Sequence, residues 1–258
     1  MRYLNVGSGS KGNSTIIYTA DTTVLIDTGI SKKRVVECLR SIGRCLEDID
    51  AVLITHRHKD HTAHIDSFEI LFDRFYSGDG GVIQEEYRGT NVLAPFQTFE
   101  VKGLKITALP TSHDAPDSMG YVLEEISTGR RLMYMTDTGF IPFRDLDYCR
   151  NCDFYLLESN HDPEMLMRSD RNNWLKMRIL GDEGHLSNQQ CSHYLSMIVG
   201  RNTREIALAH LSEECNTESL AIETFRRVLA AQLGFVPDVI IKTLYQKEPT
   251  SGGDTSNG

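Results

Sequence analysis

The stretch Thr55-His56-Arg57-His58-Lys59-Asp60-His61 decides how this chain is interpreted. It places three histidines and one aspartate within six residues, directly after the apolar run Ala51-Val52-Leu53-Ile54. Neutral imidazole and carboxylate groups are common protein ligands of zinc and similar divalent ions. Because the stretch follows a predicted buried strand, it indicates a metal site at a strand end. The number of ligand groups favours two metal ions.

The spacing within the stretch suggests how the ligands divide between two ions. A strand that ends in His-x-His can direct His56 and His58 at one ion. Asp60 and His61, at the start of the following predicted helix, can reach a second ion nearby. Two ions need further ligands, and the remainder of the chain offers suitable side chains.

Three more residues of ligand type follow predicted strands, namely His113, Asp137 and His210. Any one of them alone is typical of a polar loop, but their shared position at strand ends favours a common site. Asp27 also ends a predicted strand and has two readings. It caps the helix that begins near Ser31, or it accepts a proton from a ligating histidine and fixes the tautomer of that imidazole. We favour the second reading.

Composition limits the partners of the protein. The 258 residues carry a formal net charge of −9, with 40% hydrophobic and 24% charged residues, as is ordinary for a globular protein. The acidic balance argues against a broad basic surface for nucleic acid. Two divalent cations would nevertheless add four positive charges at one point, so a local nucleic-acid site remains compatible with the sequence.

The six scattered cysteines are typical of reduced thiols, and the first residues lack the long apolar run of a secretion signal. No apolar run approaches the length of a membrane span, so we expect a cytoplasmic protein without a membrane partner. The sequence leaves the oligomeric state open.

The pattern of strands and helices predicts an α/β fold. Strands followed by a helix-bearing segment occur twice, which favours a β-sandwich with helices on both outer faces. We expect residues 1–247 to form a single domain and residues 76–95 to form a loop or an irregular insert. The polar, glycine-rich residues 248–258 predict a disordered tail.

The chain resembles the metallo-β-lactamase superfamily and, within it, the WalJ/YycJ (VicX) group of nucleases related to RNase Z and RNase J. Beyond the histidine cluster, the resemblance is carried by five motifs: Ser8-Gly9-Ser10-Lys11-Gly12-Asn13-Ser14, Leu25-Ile26-Asp27-Thr28-Gly29, Leu157-Glu158-Ser159-Asn160-His161-Asp162, Gly184-His185-Leu186-Ser187-Asn188 and Leu208-Ala209-His210-Leu211-Ser212. It implies a four-layer αβ/βα sandwich, the metallo-β-lactamase fold, with the metal ions at one edge.

The resemblance also implies a ligand set. His56, His58 and His113 would hold the first ion, Asp60, His61 and His210 the second, and Asp137 would bridge both. The cofactors would be two divalent ions, Zn²⁺ or Mn²⁺, with iron as a further option, because imidazole and carboxylate accept all three.

The implied activity is hydrolysis of nucleic-acid phosphodiester bonds in DNA or RNA, as in a nuclease or a 5′–3′ exonuclease. A hydroxide shared by the two ions would attack phosphorus. We expect His185 to protonate the leaving oxygen, with Glu158 as its orienting carboxylate; Asp60 joins them in the catalytic set. For His185, the alternative is a histidine that simply caps the helix from Ser187.

Four residues are candidates for substrate contact, namely Ser10, Lys11, Asn13 and His161. A tight turn and a plain loop histidine are the alternatives for these positions. Other functions also remain open: hydrolysis of a small cyclic ribose phosphate, thioester hydrolysis, and a metal-loaded regulatory module without activity.

Overall fold

The computed structural model describes residues 1–78 and 90–254, and it groups the chain into two compact units. The first unit is made of Met1–Pro110, Ala115–Arg131 and Tyr245–Gly258. The second unit is made of Thr111–Asp114 and Leu132–Leu244. The expectation of a single domain over residues 1–247 stays a prediction.

The first unit contains a seven-stranded sheet in the order β14-β1-β2-β3-β4-β5-β6. Its strands are β1 (Arg2–Gly7), β2 (Ser14–Tyr18), β3 (Thr23–Ile26), β4 (Ala51–Ile54), β5 (Phe75–Ser77), β6 (Asn91–Val92) and β14 (Thr250–Gly253). The pairs from β14 to β3 are antiparallel, and the pairs from β3 to β6 are parallel. Both β3 and β4 are buried at every position, as expected for apolar strands covered on both faces.

An antiparallel meander completes the strands that lie within the first unit. It consists of β7 (Thr98–Val101), β8 (Leu104–Pro110) and β9 (Met119–Glu125). The helices of this unit are α1 (Lys32–Ser41), α2 (Lys59–Thr62) and two 3₁₀ helices, Leu46–Asp48 and Ile65–Arg74. Helix α1 turns Val35, Cys38 and Leu39 into the core at helical spacing.

The second unit is built on parallel strands in the order β10-β11-β12-β13. They are β10 (Arg130–Met135, whose first two residues belong to the first unit), β11 (Phe154–Glu158), β12 (Glu205–Ala209) and β13 (Ile240–Thr243). Its helices are α3 (Leu146–Cys149), α4 (Pro163–Arg168), α5 (Asn173–Leu180), α6 (Asn188–Ile198), α7 (Glu218–Leu233) and the 3₁₀ helix Phe143–Asp145. Several of these helices begin at a capping side chain; Ser187 accepts from Gln190 N at the start of α6.

The prediction of a disordered tail over residues 248–258 is wrong for part of that segment. Residues Thr250–Gly253 form β14, which pairs with β1 along four consecutive positions. The edge of a sheet offers unpaired backbone groups to any segment that returns to it, so even a polar, glycine-rich stretch is ordered there. Residues 255–258 of the predicted tail lie outside the described part of the chain.

The segment predicted as a loop, residues 76–95, is only partly described. Its first residues belong to β5, and Asn91–Val92 forms the short strand β6. Residues 79–89 lie outside the described part of the chain. Among the helices of residues 1–78 and 90–254, none has the length and apolar character needed to cross a bilayer.

Gly29 lies at a close contact between two segments of the first unit. A Cβ atom on Gly29 would overlap the backbone carbonyl oxygen of Asp60. That carbonyl accepts a hydrogen bond from Asn13 N at 2.7 Å, and Gly29 N donates to Asn13 O at 3.0 Å. The absence of a side chain at Gly29 therefore allows the backbone before α1 to support the residues that open α2.

We predict that Gly29→Ala destabilises the fold by about 1–3 kcal/mol, because the methyl group must displace the Asp60 carbonyl in a packed region. Urea unfolding followed by circular dichroism measures the change. Gly103→Ala is the matched control, since the nearest atom to its added Cβ would be Thr22 Oγ1 at 4.0 Å. Equal stability of the two variants would contradict this account.

Candidate functional site

The second unit brings two carboxylates and an imidazole to the carboxyl ends of adjacent parallel strands. Glu158, the last residue of β11, lies beside Ala209, the last residue of β12. Asp137 follows β10 by two residues, and His210 follows β12 by one. Since parallel strands end at the same edge of their sheet, the register places these three side chains together.

Glu158 organises this group of side chains. Its Oε1 lies 2.8 Å from Nδ1 of His185 and 2.8 Å from Nδ1 of His210. Its Oε2 accepts backbone hydrogen bonds from Thr138 N and Leu186 N, both at 3.1 Å. Each imidazole donates from Nδ1 to the carboxylate, which leaves the Nε2 atom of each ring directed away from Glu158.

The environment of Glu158 favours its charged form. Burial raises the pKa of this carboxyl, but the neighbouring His185, together with hydrogen bonds from both histidines, outweighs burial and lowers the pKa to about 2.

Asp137 lies next to both histidines. Its Oδ1 is 3.5 Å from Nδ1 of His210 and 3.6 Å from Nδ1 of His185. Ligand-type atoms of these three residues and Glu158 all lie within 4.8 Å of one another, a spacing suited to a metal ion.

His113 belongs to the same unit and lies next to this group. Its Nδ1 faces the carbonyl oxygen of Gly184 at 3.3 Å, and its ring centroid is 5.3 Å from that of His185. Its Nε2 lies 4.0 Å from Asp137 Oδ1. Burial lowers the pKa of His113, which favours the neutral imidazole that binds metal ions.

In the first unit, Asp27 accepts hydrogen bonds from a histidine and a threonine. His61 Nδ1 lies 2.7 Å from Asp27 Oδ2, and Thr55 N donates to Asp27 Oδ1 at 2.8 Å. The Thr55 hydroxyl is 3.0 Å from both carboxylate oxygens and 3.1 Å from Nδ1 of His56. The structure thus contains the carboxylate–histidine contact expected of Asp27; its effect on a metal ion stays a prediction.

The histidines of the opening stretch gather in the same unit. The ring centroid of His56 lies 4.6 Å from that of His58 and 4.1 Å from that of His61. Asp60 Oδ2 is 3.5 Å from Nε2 of His61. The sharp change from β4 to α2 therefore brings three imidazoles and one carboxylate to one place, a donor set that suits zinc or manganese.

Three of these residues have an unusual backbone conformation. Asp27, Asp137 and His210 adopt φ values of 62°, 56° and 55°. These values lie in the left-handed region, which residues other than glycine rarely adopt. Each follows the buried end of a strand by one or two residues. The turn re-aims the side chain immediately after the strand, and such strain is commonly maintained at functional sites.

The predicted substrate contacts divide into exposed and buried residues. Ser10 and Lys11 are exposed on the turn between β1 and β2. Asn13 is fully buried, where its Nδ2 lies 3.0 Å from Nε2 of His61 and its Oδ1 accepts from Gly9 N at 2.8 Å. Burial argues against substrate contact by Asn13, which instead supports the histidine stretch.

His161 is likewise fully buried, and its predicted role in substrate contact is not supported. Neither of its ring nitrogens has a hydrogen-bond partner among residues 1–78 and 90–254. Burial lowers its pKa to about 4, so the ring is neutral at physiological pH. The bend after β11, stabilised by Asn188 N donating to His161 O, turns this side chain inward.

Sequence reasoning missed several residues that support the predicted ones. The Thr55 hydroxyl contacts Asp27, His56 and His61, and its position directly before the histidine stretch was a usable signal. Asn160 donates from Nδ2 to the His210 carbonyl at 2.9 Å. No local pattern marks such a contact, because its partners are 50 residues apart.

The chain belongs to the β-lactamase superfamily. A family model described as "Beta-lactamase superfamily domain" matches residues 22–210, which include all the residues of the histidine stretch, Asp137 and His210. This confirms the family that the sequence motifs resemble.

Individual relatives narrow the group within the family. The chain is 35% identical over 248 residues to Exodeoxyribonuclease WalJ of Streptococcus pneumoniae, covering 90% of each chain. It is 30% identical over 233 residues to Exodeoxyribonuclease YycJ of Bacillus anthracis, covering 87% of each chain. The predicted resemblance to the WalJ/YycJ group is therefore confirmed.

A solved structure confirms the fold class. The metallo-beta-lactamase fold protein YhfI from Bacillus subtilis superposes with a TM-score of 0.71 at 14% identity, covering 97% of this chain and 99% of that chain. At this identity the likeness concerns the fold alone. The predicted α/β metallo-β-lactamase fold is that of this chain.

We predict that Asp27→Asn weakens metal binding about 10–100-fold, because an amide orients the His61 imidazole less strongly than a carboxylate does. Asparagine tolerates the left-handed backbone at this position, so the fold should be retained. Elemental analysis and chelator competition measure the affinity, with circular dichroism as the check on folding. Asp21→Asn, at an exposed position, is the control. Unchanged affinity in Asp27→Asn would show that Asp27 does not orient a metal ligand.

Proposed function

We propose that the chain is a metal-dependent exodeoxyribonuclease that hydrolyses phosphodiester bonds of DNA. The observation that carries the proposal is the gathering of imidazoles and carboxylates at strand ends within a chain 35% identical to an exodeoxyribonuclease over 90% of both lengths. An ester hydrolase needs an activated water, a means of neutralising phosphate charge and a proton for the leaving oxygen. The 5′–3′ direction of digestion remains part of the proposal.

The proposed metal ligands follow the set implied by the family. By that set, His56, His58 and His113 would hold one ion and Asp60, His61 and His210 the other, while Asp137 would serve both. In support, the donor atoms within each unit are imidazole nitrogens and carboxylate oxygens, which suit Zn²⁺, Mn²⁺ or iron. Two such ions lower the pKa of water and neutralise phosphate oxygens. Asp60 would take part in catalysis as a ligand of one of these ions.

His185 is the proposed general acid. Its side chain is 17% exposed, so it reaches the solvent side of the group while Nδ1 contacts the buried carboxylate of Glu158. Glu158 stays ionised and fixes the tautomer, so Nε2 is the atom that carries a proton to the leaving oxygen. The competing view of His185 as a helix cap receives no support, because Ser187 is the residue that caps α6.

Lys11 and Ser10 are proposed to contact a phosphate of the DNA strand. Both side chains are exposed, and the backbone of the turn is held by Gly12 N donating to Gly9 O at 3.0 Å and Lys11 N donating to Gln246 Oε1 at 2.9 Å. A fixed turn with an exposed ammonium group suits electrostatic contact with a phosphate. A cytoplasmic location, predicted from the cysteine usage, completes the proposal.

The function is tested by incubating the purified chain with Mn²⁺ or Zn²⁺ and 5′- or 3′-end-labelled DNA. We expect stepwise shortening from one end, abolished by chelation. His58→Ala and Asp137→Ala should each lose at least about 10²-fold in rate, since each removes a metal ligand, while circular dichroism shows a retained fold. Hydrolysis of a cyclic nucleotide or a thioester with no digestion of DNA would contradict the proposal in favour of those alternatives.

The role of His185 is tested with two substrates that differ in their leaving group. We predict that His185→Ala slows DNA cleavage about 10²–10⁴-fold, because the deoxyribose oxygen needs a proton as it leaves. The same variant should slow bis-p-nitrophenyl phosphate much less, since p-nitrophenolate leaves without protonation. His193→Ala, at an exposed position on α6, is the control. Equal losses on both substrates would assign His185 to metal binding or positioning instead.

A further inference from the structure

The exposed face of α5 carries the single tryptophan of the chain. Trp174 is 73% exposed and Met177 is 65% exposed, although residues of this size and character usually lie in the core. The opposite face of the helix is anchored, because Lys176 and Ile179 are buried. Trp174 thus lies on the outer face of a helix whose inner face is already packed. Neighbouring exposed apolar side chains of this kind are typical of a binding surface.

This face leads directly to the candidate catalytic residues. At the carboxyl end of α5, the Ile179 carbonyl accepts a hydrogen bond from His185 N at 3.0 Å. Gly184, which precedes His185, presents its carbonyl to Nδ1 of His113 at 3.3 Å. A ligand lying along α5 would thus arrive at His113 and His185.

Arg178 places a cation between the tryptophan and these histidines. Its Nε donates to Asp114 Oδ2 at 2.7 Å, and Asp114 Oδ1 lies 3.3 Å from Nε2 of His113. The Arg178 side chain is 38% exposed, and a guanidinium has more donors than one carboxylate uses. Because Trp174 and Arg178 are four residues apart on a helix, they share one face.

Apolar surface continues beside this end of the helix. Leu180 and Phe140 are each 37% exposed. Gly139 packs so closely against the backbone of Gly181 and Asp182 that a Cβ there would overlap their carbonyl oxygens. The segment after Asp137 therefore lies against the end of α5, next to the candidate metal ligand.

We propose that the face formed by Trp174, Met177 and Arg178 binds a single-stranded end of the DNA substrate. Trp174 stacks on an unpaired base, Met177 extends the apolar contact, and Arg178 contacts a backbone phosphate. This inference rests on the proposed nuclease function and specifies how the strand is held. Because the chain has a net charge of −9, long-range electrostatic attraction contributes little to DNA binding. Base stacking on Trp174, together with the single cation of Arg178, is therefore the mode of binding that suits this chain.

The unique tryptophan provides a direct probe. The full-length chain is titrated with a single-stranded phosphorothioate oligonucleotide, which resists cleavage, while tryptophan fluorescence is followed. We expect saturable quenching at constant protein concentration, because a base stacks on the only indole. Raising the salt concentration should weaken binding, since phosphate contacts release counterions.

Variants separate stacking from charge. By fluorescence anisotropy of a labelled oligonucleotide, Trp174→Ala should weaken binding about tenfold or more, whereas Trp174→Phe should recover most of the loss. Arg178→Gln should weaken binding and reduce its salt dependence. Phe235→Ala is the matched control, because Phe235 is 61% exposed in the same unit but lies away from α5 in the chain and should bind as the unaltered protein does.

The outcomes distinguish this proposal from the nuclease function itself. If the unaltered chain digests DNA but shows no quenching, or if Trp174→Ala binds as tightly as Phe235→Ala, the proposed surface is overturned and the nuclease function stands. Quenching without digestion of DNA or of bis-p-nitrophenyl phosphate would support the surface and contradict the nuclease function. Fluorescence that changes with protein concentration alone, together with a dimer in light scattering that Trp174→Ala dissociates, would assign the face to a second copy of the chain and overturn the proposal.

Discussion

A buried carboxylate that holds an imidazole is the interaction on which the candidate site residues of each unit depend. Asp27 contacts His61, and Glu158 contacts both His185 and His210, with both carboxylates fully buried. A buried charge without partners costs several kcal/mol, so these carboxylates require their hydrogen-bond donors as much as the histidines require orientation. The hydrogen bonds that compensate the buried carboxylates therefore also fix the orientation of the histidine rings.

The strands supply the positions at which these contacts form. Parallel neighbours end together, so Asp137 and His210, which lie one or two residues beyond β10 and β12, meet Glu158 at the end of β11. The left-handed backbone at Asp137 and His210 turns each side chain away from the direction of its strand. Regular sheet hydrogen bonding fixes the location of the site, and local departures from regular geometry fix its orientation.

Residues that contact Asp27 and the histidines hold the candidate ligands in place. Thr55 joins Asp27 to two histidines, and Asn13 lies between the glycine turn and His61. The turn containing Gly9 and Gly12 therefore supports the histidine stretch through Asn13, while its tip carries the exposed Lys11. One loop thus combines a structural role for Asn13 with a surface suited to a phosphate.

Sequence alone identified the family, the fold class and the residue types of the candidate site. Those predictions depended on local signals, namely ligand-type residues after apolar strands and a compact H-x-H-x-D-H pattern. It failed where partners are distant in the chain: β14 is ordered by pairing with β1, and Asn13 and His161 are turned inward by contacts that no local pattern encodes.

The sequence by itself determined which side chains are available for metal binding and proton transfer, because residue identity sets the chemistry of each donor. Only the tertiary structure decided which imidazole each buried carboxylate orients, and that Arg178 lies beside Asp114 while Trp174 faces outward. Such choices follow from the packing of segments far apart in the chain, where burial and hydrogen-bond satisfaction outweigh local preference.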